Sequence, residues 1–184
     1  MTHKVSQPAT HDQKIETEGP SEESLALENL SAEGGFGMRI ARDGTWYHQG
    51  LPIRRMPLVK LFATVLRRDE EGVYWLQTPV EKGQIEVEDA PFTAIELEAE
   101  GAGEAQILRF RTNLDDWVDC DAGHPLRVVT SKGGEPRPYL LVRDRLEALI
   151  SRPVFYQLVE LAVEGDGDSL GVWSHGHFFG LGDL

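Results

Sequence analysis

The most regular stretch of the chain alternates. Ile95, Leu97 and Ala99 interleave with Glu96, Glu98 and Glu100, and beyond the Gly101-Ala102-Gly103 turn Leu108 and Phe110 interleave with Arg109 and Arg111. A period of two predicts strands, here an antiparallel hairpin with an acidic outer face set against a basic one. Cross-strand charge pairs of this kind are first of all structural, each contributing about 0.2–1 kcal/mol. Further short strands follow at Trp117-Val118, Leu126 to Val129 and Tyr139 to Val142, separated by polar turns, so the middle of the chain reads as an antiparallel meander.

Two segments carry a helical period instead. Pro57 precedes Leu58, Leu61, Phe62, Val65 and Leu66, and proline is tolerated in a first helical turn because its missing N–H would be unpaired there. Arg67 and Arg68 close this run and suit the negative end of a helix. The second segment, Pro153 to Val163, has the same opening proline and apolar stripe. Short strand pairs flank both. Trp46-Tyr47 and Leu51 to Ile53 surround a Gly50 turn, Val73 to Thr78 and Gln84 to Val87 follow the first helix, and Leu170 to Ser174 and His177 to Gly180 follow the second. The predicted fold class is α+β: two small lobes, a repeated strand-pair, helix, strand-pair unit, and the meander between the repeats. Neither unit can bury a one-faced sheet alone, so the lobes are expected to pack with a groove between them.

The predicted boundaries are a tail over residues 1–35, an N-terminal α+β lobe over 36–91 and a β-rich C-terminal lobe over 92–184. Met1 to Pro20 has almost nothing to bury and reads as disordered. Ser21 to Ser24 followed by Leu25, Leu27 and Leu30 reads as a short helix ending at Gly34-Gly35. No stretch resembles a secretory signal or an apolar membrane span, and the single Cys120 cannot form an internal disulfide, so a cytoplasmic protein is expected.

The net charge of −13 disfavours a nucleic-acid partner. Charge is also segregated: residues 39–68 hold seven Lys/Arg and one acid, whereas 69–104 hold eleven acids and one Lys, which predicts a dipolar surface if the segments occupy different faces.

Candidate chemistry is sparse. Ser174-His175-Gly176-His177 offers a serine and a His-x-His pair, but no nucleophile-elbow frame and no second His/Cys cluster. Asp166-Gly167-Asp168 begins like a calcium loop and then departs from it at Leu170. Cys120 beside His124 lacks the basic surroundings of a reactive thiol. There is no phosphate-binding glycine loop. These readings imply a non-catalytic protein with no cofactor and no metal. The groups that could converge in an inter-lobe groove are Glu81, Lys82, Asp89, Tyr139, Arg143, Arg152, Tyr156, Trp173 and Ser174. Two guanidiniums, carboxylates and aromatics would suit a small anionic or peptide-like ligand, or a protein partner. The competing reading is a network in which Arg143 or Arg152 meets Glu81 or Asp89 and locks the lobes. A hydrolase using Ser174 and His175, and a purely structural interaction adaptor, are the alternatives from other classes.

Several runs carry a family resemblance: Gly44 to Ile53, Thr78 to Lys82, Val87 to Phe92, Arg143 to Arg152, and Trp173 to Gly176. Together they resemble the bacterial family called domain of unknown function 1285, over roughly residues 36 to 184. The resemblance implies a two-lobed α+β fold with repeated elements, a C-terminal lobe loosely similar to pleckstrin-homology-like domains, a ligand or partner site at the lobe interface, and a part in signal transduction. It implies no activity.

Overall fold

The computed structural model describes residues 36–131, 133–165 and 169–183. The tail and short helix expected over 1–35, and the acidic turn at 166–168, lie outside these residues.

The first lobe runs β1 (Met38–Ile40), β2 (Trp46–His48), β3 (Leu51–Pro52), α1 (Met56–Thr64), β4 (Leu66–Arg68), β5 (Tyr74–Gln77) and β6 (Lys82–Val87). Its strands form one sheet in the order β3-β2-β1-β6-β5-β4. The predicted hairpin around Gly50 is present, with Gln49 at φ 49° and Gly50 at φ 80°, the pair of positive values that a two-residue turn between twisted strands requires. Helix α1 ends earlier than the apolar stripe suggested. Leu66, Arg67 and Arg68 pair with Leu76, Trp75 and Tyr74 as β4. Arg67 nevertheless reaches back to donate to Thr64 O at 2.9 Å, so a cation still meets the unpaired carbonyls of the helix end.

The second sheet is built from β7 (Phe92–Glu100), β8 (Ile107–Thr112), β9 (Trp117–Asp119), β10 (Leu126–Thr130), β11 (Pro136–Arg143) and β12 (Leu146–Ile150), in the order β10-β11-β12-β7-β8-β9. The expected cross-strand charges face each other, Glu96 opposite Arg111 and Glu98 opposite Arg109, with Arg111 2.5 Å from Glu96. After β12 come α2 (Arg152–Glu160), β13 (Val163–Glu164), β14 (Ser169–Ser174) and β15 (His177–Asp183), the last three forming a third sheet. Val163 therefore belongs to a strand rather than to the helix.

A repeat exists, but with boundaries unlike those expected. Written from its other edge, the first sheet runs β4-β5-β6-β1-β2-β3, and the second runs β10-β11-β12-β7-β8-β9. Each is two three-stranded meanders joined where the first strand of the unit pairs parallel with the last, β1 with β6 and β7 with β12. The repeating unit is thus β1–β6 and β7–β12, and the meander is part of the second copy. In the first copy α1 connects the two meanders. In the second a short turn around Cys120 to Pro125 does so, and α2 follows the whole unit.

The two sheets share one core. Buried apolar side chains form a continuous cluster from Phe36 to Leu181, so the lobes are not two separately filled interiors. Phe62 of α1 stacks on Trp46 of β2 at 6.3 Å between ring centroids, fixing the helix to its sheet. The third sheet is fastened to the second by polar groups: Ser174 Oγ donates to Cys120 O at 2.5 Å and accepts from Leu108 N at 3.0 Å, and Gln106 donates to Trp173 O at 2.9 Å.

In the third sheet Gly171 lies opposite Gly180, and a Cβ at 171 would fall on the Phe178 ring and the Phe179 carbonyl. Gly171→Ala is expected to destabilise the fold by about 1–3 kcal/mol, the range for overpacking a filled site, read as a lower urea midpoint; an unchanged midpoint would show that the strand pair opens freely.

Candidate functional site

Clefts lined by both lobes lie along the inter-lobe boundary, and the nine residues expected in one groove are divided between two of these clefts and other places. The polar cleft, about 190 Å³, is walled by Arg42 after β1, Asp89 in the linker between the sheets, Glu135 to Pro138 at the start of β11, and Leu149 to Arg152 where β12 passes into α2. Local sequence explains one wall. Pro136 and Pro138 cannot donate to a strand ladder, and they sit where β11 has run past its pairing with β12, which begins at Tyr139 opposite Leu149. Arg137 lies between them.

Asp89 is the centre of this cleft. Its side chain is only 6% exposed. Tyr139 Oη donates to Asp89 Oδ1 at 2.7 Å, Arg137 Nη1 lies 3.2 Å from Oδ2, and Arg42 Nε lies 3.6 Å from it. Arg152 pairs with Glu135 at the mouth, where both are largely solvated. Arg42, Arg137 and Arg152 face Asp89 and Glu135, so the lining carries an excess of one positive charge.

Of the expected residues, Asp89 and Arg152 line this cleft, and Tyr139 bonds Asp89 beside it. Arg143 lies in the second cleft, where it donates to Ala63 O of α1 and covers the Phe92 ring. Five residues fall elsewhere. Glu81 belongs to the β5–β6 turn, its N–H bonded to Thr78 Oγ1, and Lys82 beside it lies over the Trp75 ring, both at the far end of β6 from Asp89. Tyr156 is 64% exposed on α2. Trp173 packs edge-on against Phe178. Ser174 is fully buried with its hydroxyl engaged on both sides. The Arg143 or Arg152 pairing with Glu81 or Asp89 anticipated between the lobes is not formed; the ion pairs that cross are Asp89 with Arg137, Glu147 with Arg68, Glu70 with Arg145, and Lys60 with Asp115. Much of the segregated charge is consumed in such pairs, including Arg39 with Glu88, rather than displayed as a surface dipole.

Arg42, Glu135 and Arg137 were not singled out in the sequence. The Pro-Arg-Pro string was the available signal, since prolines in a strand mark an edge, and here β11 is paired with β10 but no longer with β12.

The histidines assemble no metal centre in the described residues. His175 Nε2 lies 3.5 Å from Asp119, His177 lies against the Phe179 ring, and no group of three or more His, Cys, Asp or Glu converges.

Burial pushes the Cys120 thiol up to about 12. Iodoacetamide at neutral pH should therefore leave the folded protein unlabelled and label it fully in urea; rapid labelling of the folded chain would mean that the β14 contact opens. Burial, and then the bond to Asp89, raise Tyr139 above the ordinary phenol value of 10.0. A group raised on folding contributes stability that is complete below its unfolded value and disappears as pH climbs through the folded one. Urea titrations should show stability falling above about pH 10, and Tyr139→Phe should remove part of that fall. Tyr74, also raised by burial, retains its own share. An alkaline slope identical in the variant would refute the assignment.

Residues 29–90 match the family model described as the N-terminal domain of DUF1285, and residues 91–181 match the model of its C-terminal domain. The chain is similar to the crystal structure of a DUF1285 family protein from Silicibacter pomeroyi, at 39% identity and a TM-score of 0.80, over 90% of this chain and 97% of that one. It is similar also to a DUF1285 family protein from Shewanella baltica, at 25% identity and a TM-score of 0.53, over 67% of this chain and 90% of that one. No curated protein matches. With both domain models matched in order along most of its length, the chain belongs to the DUF1285 family.

Proposed function

We propose that this protein is a non-catalytic binding module that takes a small anionic or peptide-like ligand in the polar cleft, and that ligand occupancy, sensed between the lobes, is its contribution to signalling. One observation carries the reading: both lobes and the linker contribute to a cavity lined by three guanidiniums, two of them against one buried carboxylate. Arg42 and Arg152, 62% and 74% exposed at the side chain, can swing onto an anion, while Asp89 and Tyr139 hold Arg137 in place. Guanidinium forks on a carboxylate or phosphate are strong, directional contacts. The start of α2 adds its amide groups to the same rim. A ligand spanning Arg42 and Arg152 would restrain one lobe against the other, and that is the physical content of a sensing role.

The hydrolase alternative needs an available serine hydroxyl, and the engagement of Ser174 with Cys120 O and Leu108 N speaks for the non-catalytic reading. The pleckstrin-like reading of the second lobe is what the family resemblance implies, and a likeness of fold carries no ligand with it. A lock without a ligand is the reading that the Asp89 contacts favour in turn.

Arg152→Ala separates the two. The exposed pair with Glu135 is worth about 0–1 kcal/mol, so the variant should melt close to the parent. Inorganic phosphate, titrated calorimetrically into the full chain, should bind the parent and bind the variant about tenfold more weakly, as loss of one charge-assisted contact implies. No heat of binding to the parent, or equal binding to both, would overturn the proposal, and a large loss of melting temperature without ligand would establish the lock.

A further inference from the structure

The second cleft differs from the first in size and chemistry. It measures about 520 Å³, within the range of organic-ligand sites, and lies between α1 and the edge of the second sheet. One part of its lining is apolar, Ala63 of α1, Phe92 at the start of β7, Leu114, Val118 of β9 and Val142 of β11, and the rest is polar, with Lys60, Asp115, Asp116 and Arg143 among it. The apolar side chains belong to the shared core, so the cleft is a notch in that core open to solvent on one side.

One cation of the notch forms no ion pair among the described residues. Arg143 makes its hydrogen bond to a backbone carbonyl, Ala63 O, and its ring contact to Phe92, and no carboxylate of the described residues lies within ion-pair distance of it. Every other arginine in the strands of the second sheet, Arg109, Arg111, Arg127 and Arg137, has a carboxylate partner. Burial and then the neighbouring Arg67 hold Arg143 below the ordinary guanidinium value, and the more distant charges of Asp144 and Asp116 offset this only in part. A guanidinium has more N–H donors than one carbonyl can use.

The rim limits what could neutralise it. Lys60 is occupied by Asp115 at 2.9 Å, Asp115 is shared with Arg111 at 3.0 Å, and Asp116 is exposed beside them. Lys60 and Arg143 against Asp115 and Asp116 leave the lining neutral, so it offers one free guanidinium contact and no further compensation. A dianion would meet the rim carboxylates uncompensated.

We propose that this cleft is a second, independent ligand site, selective for an organic monocarboxylate with an apolar body: the carboxylate takes Arg143 and the body covers Phe92, Leu114, Val118 and Val142. Such a ligand would bridge α1 of the first lobe to β9 and β11 of the second, at the opposite end of β11 from the polar cleft.

Octanoate and acetate, titrated calorimetrically into the full chain, test this. Octanoate is expected to bind at one site, and acetate, which has the charge but not the body, at least tenfold more weakly. Arg143→Gln keeps a donor for Ala63 O and loses the charge, and should weaken octanoate at least tenfold. Thr64→Phe, at an exposed position on the cleft wall, should block octanoate by filling the space while leaving the core intact. Arg152→Ala should leave octanoate binding unchanged, which separates this site from the polar cleft. Failure of octanoate to bind the parent, or equal binding to the parent and to both cleft variants, overturns the proposal, as does octanoate binding that depends on Arg152 instead.

Discussion

Parallel pairing of the first strand of each unit with its last is the constraint on which the rest of the structure depends. A three-stranded meander leaves two exposed edges, and joining two meanders through β1 with β6, and again through β7 with β12, covers one edge of each at no cost in long connections. Because parallel strands end at the same end of a sheet, Ile40 and Val87 come level, and the residues that follow them, Arg42 and Asp89, emerge side by side. In the second sheet the chain enters at Phe92 and leaves beyond Ile150 on neighbouring strands. The linker, the end of β1 and the start of α2 meet for that reason, and the polar cleft is the space they enclose.

The interface between lobes is built from two materials. A continuous apolar cluster supplies most of the driving force, since burial of nonpolar surface is the dominant favourable contribution to folding. Around it lie ion pairs that cross the boundary, Arg68 with Glu147 and Arg145 with Glu70 among them, partly solvated and so worth little individually. Their value is in register, since each lobe presents charges that only one orientation of the other satisfies. Arg143 is the exception, reaching across to a carbonyl of α1 rather than to a carboxylate. Two of the clefts along this boundary lie at opposite ends of β11, one lined by paired charges and the other by core apolar side chains, a charged rim and Arg143.

Asp89 shows how close the binding and locking readings are in physical terms. A carboxylate buried at the meeting point of two sheets needs partners: Tyr139 donates to Oδ1, while Oδ2 has the charges of Arg137 and Arg42 nearby but no hydrogen bond. The same arrangement positions guanidiniums whose remaining donors face the cleft. Supporting contacts of this kind are what a binding site needs to hold its ligating groups in fixed geometry. A structural network and a prepared site therefore differ only in whether Arg42 and Arg152 have a further partner.

Local pattern determined the elements. The alternation from Ile95 to Arg111 gave its hairpin with the charge pairs in place, and the Gly50 turn and both proline-headed helices formed where their residues predicted, because each is decided within a few residues by backbone sterics and side-chain period. Boundaries failed where a neighbour competed: Leu66 fits a helical stripe and a strand equally, and pairing with Leu76 decided it. The closure of the sheets, the true span of the repeat and the makeup of the clefts came only from tertiary structure. Asp89 and Tyr139 stand fifty residues apart, and Arg143 and Ala63 eighty. An alternating strand does not encode which strand will lie beside it, because every half-buried strand carries the same period. Which polar groups share a cleft is decided by that choice of neighbour.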